Sequence, residues 1–173
     1  SRNSTAGADH VSYTVTGTIV GTLGEGGAYS PRNEDYHAVV TLERRDGEWR
    51  IAELPNQAII ERTELRNRYI PRDLYFFDPT GNTLVPDRRW MFAGTNTQDT
   101  ALISLLLAGP SPMLAPGVMD ELPNSAAYTR TNNGVYELTG LSNLSEAARR
   151  RLAAQLTWTL ALAEISEPFS FSI

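Results

Sequence analysis

Leu102-Ile103-Ser104-Leu105-Leu106-Leu107-Ala108-Gly109-Pro110-Ser111-Pro112-Met113-Leu114-Ala115-Pro116 is the stretch whose reading decides the fold. It opens as an apolar helix and stops at Gly109-Pro110. Glycine takes the left-handed conformation that closes a helix, and proline has no amide hydrogen with which to continue one. A second short helix carrying Met113, Leu114, Val118 and Met119 is expected beyond this corner. The first helix is predicted over 98–108, capped by Thr97, with Asp99 near its positive end and Ala101, Leu102, Leu105 and Leu106 at helical spacing. The stretch holds no base or metal ligand, so it speaks of architecture before chemistry.

Downstream, 126–131 and 135–139 flank Asn132-Asn133-Gly134, and Asn-Gly between apolar-patterned segments predicts a tight hairpin. A last helix, capped by Ser145, is expected from Glu146 to about Glu164, with a final strand from Phe169. That helix has one apolar stripe of Leu152, Leu156, Leu160 and Ala163 and a second of Trp158, Ala161, Leu162 and Ile165. A helix apolar on two sides is expected to be buried on both. One side can cover its own sheet; Trp158, Leu162 and Ile165 form the candidate partner or interdomain surface, with Trp158 expected against the N-terminal sheet. Upstream, 69–78 reads as a strand whose aromatic run suits a central position covered on both faces. The turn Asp78-Pro79-Thr80-Gly81-Asn82 and a paired strand over 88–93 follow.

The first sixty residues read differently. Val11, Tyr13, Val15 and Ile19 alternate with threonines, 37–44 and 49–54 are further strands, and Asp46-Gly47 between them signals a hairpin. Gly21 to Ser30 contains four glycines and reads as a flexible loop. The result is a three-stranded antiparallel sheet with no helix to cover its apolar face. Residues 55–66 read as a short strand or turn leading out. The predicted class is α+β, in two domains: an antiparallel N-terminal sheet over 1–66, and over 67–173 helices packed on one face of a mixed sheet.

The chain has 173 residues, 41% hydrophobic, and a formal charge of -5. Seven arginines face ten acids up to residue 66, and eight face ten beyond it, so neither half presents the basic face that nucleic acid requires. All fifteen basic residues are arginine. With no cysteine, disulfides and thiolate metal sites are excluded. His10 and His37 are the only histidines, and neither has a second ligand at metal spacing. Asp73, Asp78 and Asp87 match no calcium loop and suit turns and edges. Gly24-Glu25-Gly26-Gly27 lacks the Lys-Ser or Lys-Thr of a phosphate loop, and Ser111 has no nucleophile-elbow pattern. Arg149-Arg150-Arg151 reads as a solvated helix face. No catalytic residue, metal or cofactor is expected.

Two sets of residues carry a family likeness. Leu74-Tyr75-Phe76-Phe77-Asp78 with Gly81 and Leu84-Val85-Pro86, then Leu105 to Ser111, then Gly134 to Leu138, then Leu152 to Leu160 resemble the GerMN domain shared by sporulation and germination proteins. Arg72 to Gly81 and Pro116 to Pro123, preceded by Asp46 to Ala52, resemble the LpqB family of actinobacterial lipoproteins. The resemblance implies a partial NTF2-like region before a GerMN domain. It also implies a lipidated cysteine and helices upstream of Val11, and a β-propeller beyond Ile173. It further implies an extracytoplasmic, membrane-anchored protein that binds the extracytoplasmic domain of a sensor histidine kinase in cell-wall homeostasis and cell division. Two other readings stay open. Tyr36 and His37 could line a small-molecule pocket in the NTF2-like region, or the chain could be a homo-oligomeric assembly module.

Overall fold

The computed structural model describes residues 2–3, 9–94, 98–131, 135–163, 165 and 170–172. The elements are β1 (Arg2–Asn3), β2 (His10–Leu23), β3 (Tyr29–Arg45), β4 (Glu48–Glu53), α1 (Arg62–Arg68), β5 (Tyr69–Phe77), β6 (Leu84–Phe92), α2 (Gln98–Leu107), β7 (Ala127–Arg130), β8 (Val135–Thr139), α3 (Glu146–Ala161) and β9 (Ser170–Ser172). Short 3-10 turns occupy Glu25–Gly27 and Ala115–Gly117. The fold is α+β, in two compact units: Ser1–Thr22 with Ser30–Leu65, and Leu23–Tyr29 with Arg66–Ile173.

The first unit is built on a four-stranded sheet, order β1-β2-β3-β4. β2 and β3 are longer than alternation alone suggested, and β1 adds a fourth strand. The Asp46-Gly47 turn is present, with φ of 53° and 84°, as the mirror-image turns of two-residue hairpins require. The segment read as a strand or turn over 55–66 ends instead in α1, whose Leu65 N–H already donates to the Glu61 carbonyl. Tyr13, Val15, Trp49 and Ile51 remain exposed on this sheet.

In the second unit β5 and β6 form an antiparallel pair, while β7, β8 and β9 form a sheet in which β8–β9 is parallel. The core brings Leu74, Phe76 and Met91 of the first pair together with Leu102, Ile103 and Leu106 of α2 and Leu152, Leu156 and Leu160 of α3. Each of the last three leucines is fully buried, and each such burial stabilises by roughly 1.5–3 kcal/mol. Ser145 caps α3 as predicted, its hydroxyl accepting from Ala148 N–H at 3.2 Å. Thr97, the Asn132-Asn133-Gly134 turn and Phe169 lie outside the described residues.

Three expectations change here. The aromatic strand is not central: among the described residues β5 has only β6 as a strand neighbour, and burial alternates, with Leu74 and Phe76 inward and Tyr75 and Phe77 half-buried. The corner after α2 leads to a 3-10 turn and not a helix, since Pro110, Pro112 and Pro116 each withhold an amide hydrogen. The glycine-rich segment is no free loop either. Gly24 N–H donates to the Ala28 carbonyl at 2.8 Å, Ala28 bridges to Arg89, and a Cβ on Gly27 (φ 72°) would stand 2.2 Å from the Trp90 carbonyl oxygen. Glycine is needed there because the backbone lies against the outer edge of β6.

The opposite edge, on β5, is closed by side chains. Tyr75 N–H donates to the Thr159 hydroxyl at 3.2 Å, and Gln155 Nε2 donates to the Tyr75 carbonyl at 2.9 Å. Met119 N–H donates to the Phe77 carbonyl at 2.7 Å. Tyr75 thus turns its backbone groups away from β6, and Pro71, at the same parity, has no N–H to leave unpaired on that edge.

Candidate interaction surface

The closed edge of β5 also positions the surface. Gln155 and Thr159 lie i, i+4 on α3 and anchor it to Tyr75, which brings Trp158 beside the Tyr75 ring, with centroids 6.2 Å apart and planes tilted by 51°. Trp158 is 50% exposed and Leu162 52%, with Ala161 exposed between them. The second stripe is therefore not the buried face expected. Ile165, grouped with them in sequence, departs from the set: it is half-buried and packs on the core.

An ion pair flanks the aromatic pair. Arg88 Nε and Nη2 donate to the two oxygens of Asp73 at 2.9 and 3.0 Å, from the cross-strand position two residues along from Tyr75. Burial, and then the Asp73 charge, raise the Tyr75 hydroxyl above its ordinary pKa, against the opposing charge of Arg88. Tyr75 therefore stays a neutral hydroxyl beside a bidentate ion pair. The patch offers apolar rings, a hydroxyl and paired charges, which is the equipment of protein recognition.

Tyr36 and His37 are not brought together. As neighbours in β3 they face opposite sides of the sheet, Tyr36 half-buried and His37 exposed. An open groove elsewhere in the first unit is lined by His10, Thr41, Glu43, Arg45, Arg50 and Ile51 among others, and contains neither. Asp73, Asp78 and Asp87 each serve a different local task. Asp78 closes its own turn, accepting from the Thr80 hydroxyl at 2.7 Å and from Asn82 and Thr83 N–H at 3.1 and 3.0 Å, and these bonds, Thr80's foremost, lower its pKa. Asp87 is buried against Arg89. Among the described residues no group of three His, Cys, Asp or Glu could hold a metal ion. Arg150 pairs with Glu146 and Arg151 with Glu121. Sequence reading missed Tyr75 as the neighbour of Trp158, and with it Gln155 and Thr159. Two polar residues four apart beside a leucine stripe were the available signal.

Residues 1–66 match the family described as "Lipoprotein LpqB, N-terminal domain", and residues 73–173 match the Germane family, described as "Sporulation and spore germination". The chain belongs to the LpqB family, as an LpqB N-terminal domain followed by a Germane domain. It is 50% identical over 163 residues to Lipoprotein LpqB of Corynebacterium diphtheriae, covering 92% of this chain and 28% of that protein. To Lipoprotein LpqB of Corynebacterium jeikeium it is 39% identical, with coverage of 94% and 28%, and to that of Rhodococcus jostii 38%, with 95% and 30%. The chain thus spans under a third of the length of these relatives. No solved structure matches it at a significant level.

Proposed function

We propose that this chain is the non-catalytic binding part of an envelope lipoprotein, and that it binds and modulates the extracytoplasmic domain of a membrane sensor histidine kinase active in cell-wall homeostasis and cell division. The single observation that carries the binding role is the exposed Trp158–Leu162 face beside Tyr75. It is an aromatic and aliphatic patch on a helix whose other face is fully committed to the core. Large exposed rings held rigidly by a packed scaffold lose little freedom on binding. The kinase as partner, and the two-component context, follow from family resemblance. Attachment to the membrane is assigned to an acyl anchor outside this chain, in keeping with relatives named lipoproteins. No helix among the described residues is long and apolar enough to cross a bilayer.

The test is calorimetric titration of the kinase's extracytoplasmic domain with the full-length lipoprotein and with this chain. Saturable binding by both is expected. Binding by neither refutes the kinase reading, and binding by the full-length protein alone moves the contact outside these residues.

A further inference from the structure

Strand edges are handled differently in the two units. In the second unit β5 is closed by Thr159, Gln155 and Met119, and β6 by Gly27 and Ala28. In the first unit the sheet ends on β4, all six of whose residues are exposed, with Trp49 at 48% and Ile51 at 56%. An uncovered edge strand bearing large apolar side chains is a template for another strand.

The register shows which strand fits. Arg45 and Glu48 close the two-residue turn and form a hydrogen-bonded pair; pairs then alternate, so Glu48 and Arg50 turn their backbone groups toward β3, and Trp49 and Ile51 turn theirs outward. Glu48 and Arg50 share one face of β4, their charged groups 3.4 Å apart. A two-fold axis through Trp49 would pair the outward N–H and C=O of Trp49 with those of its copy. It would also set Glu48 opposite Arg50 of the copy, and Arg50 opposite Glu48 of the copy. Shifting the axis to Arg50 opposes two arginines, and shifting it to Ile51 pairs no opposite charges. Glu48-Trp49-Arg50 is thus self-complementary in one register, as an isologous interface demands.

We propose that two copies of this chain associate through antiparallel β4–β4 pairing centred on Trp49, joining their first-unit sheets into one. The kinase reading neither requires nor forbids this, since the Trp158 patch lies on α3.

Charge reversal tests the pairing. Glu48→Arg places arginines opposite arginines, Arg50→Glu places glutamates opposite glutamates, and a mixture of the two variants restores both cross-strand ion pairs. Sedimentation equilibrium over a wide concentration range should show a reversible dimer for the parent chain. Each single variant should dimerise about tenfold more weakly, and an equimolar mixture should recover the parent's behaviour. Circular dichroism and thermal melts establish that the variants are folded. Parent chain that is monomeric throughout, a dimer that the reversals leave unchanged, or a mixture no better than its components would each overturn the proposal.

Discussion

At the scale of single residues, the corner that opened the sequence reading is held by a buried ion pair. Asp87 Oδ2 accepts from Arg89 Nε and Nη2 at 3.2 and 2.8 Å and from Ser111 N–H at 2.7 Å, while Arg89 Nη2 also donates to the Gly109 carbonyl at 3.3 Å. Both side chains are about 5% exposed, so each carries a desolvation cost that the other and the corner backbone offset. Asp87→Asn should therefore destabilise the protein by roughly 3–5 kcal/mol, because it leaves the guanidinium buried without its counter-charge. Urea denaturation checks this, and a loss under about 1 kcal/mol would mean that water or rearrangement satisfies Arg89. Tyr136 makes a second prediction. Burial first, and then its bond to Asp99, push the Tyr136 hydroxyl up to about 12. The unfolded tyrosine ionises near 10, so the folded state holds the proton more tightly; this stabilisation is complete below about pH 10 and is lost as pH rises toward about 12. Tyr136→Phe should flatten that alkaline decline in denaturation series, and an identical slope in the variant would assign it to other groups.

Among the elements, α3 does more than cover a sheet. Its leucine stripe fills the core, while Gln155 and Thr159, 9% and 1% exposed, satisfy the backbone of Tyr75 where a neighbouring strand is missing. An open β5 edge would invite foreign strands, and side chains of a helix remove the invitation without lengthening the sheet. Thr159→Val keeps the shape and leaves the Tyr75 amide buried without an acceptor, at a cost of about 1–3 kcal/mol. Thermal unfolding measures the loss. Unchanged stability together with unchanged amide exchange at Tyr75 would show that the bond contributes nothing.

At the level of the whole molecule, the binding prediction belongs to the Trp158 face. Trp158→Ser and Leu162→Ser alter exposed side chains, so stability should move by under about 1 kcal/mol. Affinity for the kinase domain should fall by at least about tenfold if these residues anchor the contact. Normal affinity in both variants would exclude the patch while leaving the kinase reading intact.

What was legible in the chain was what depends on neighbours in sequence. Period placed α2, period and capping placed α3, Asp46-Gly47 located its hairpin, and Gly109-Pro110 ended its helix, because each rests on local dihedral and hydrogen-bond requirements. The short-range signals failed at prolines, which withhold amide hydrogens, and at glycines that answer to distant partners. The second helix after the corner dissolves into a 3-10 turn, and Gly27 serves contact with Trp90, far along the chain. The Trp158 stripe was visible as apolar, but whether an apolar stripe is buried depends on what packs on it. Its exposure and the separation of Ile165 from Trp158 and Leu162 were decided by tertiary structure, whereas the opposite facing of Tyr36 and His37 follows from the two-residue period of their strand. Sequence by itself determined which segments could be helix or strand and where they had to stop. The folded chain alone decided which edges were closed and which faces were left exposed, since burial and edge pairing are properties of surfaces brought together from distant parts of the chain.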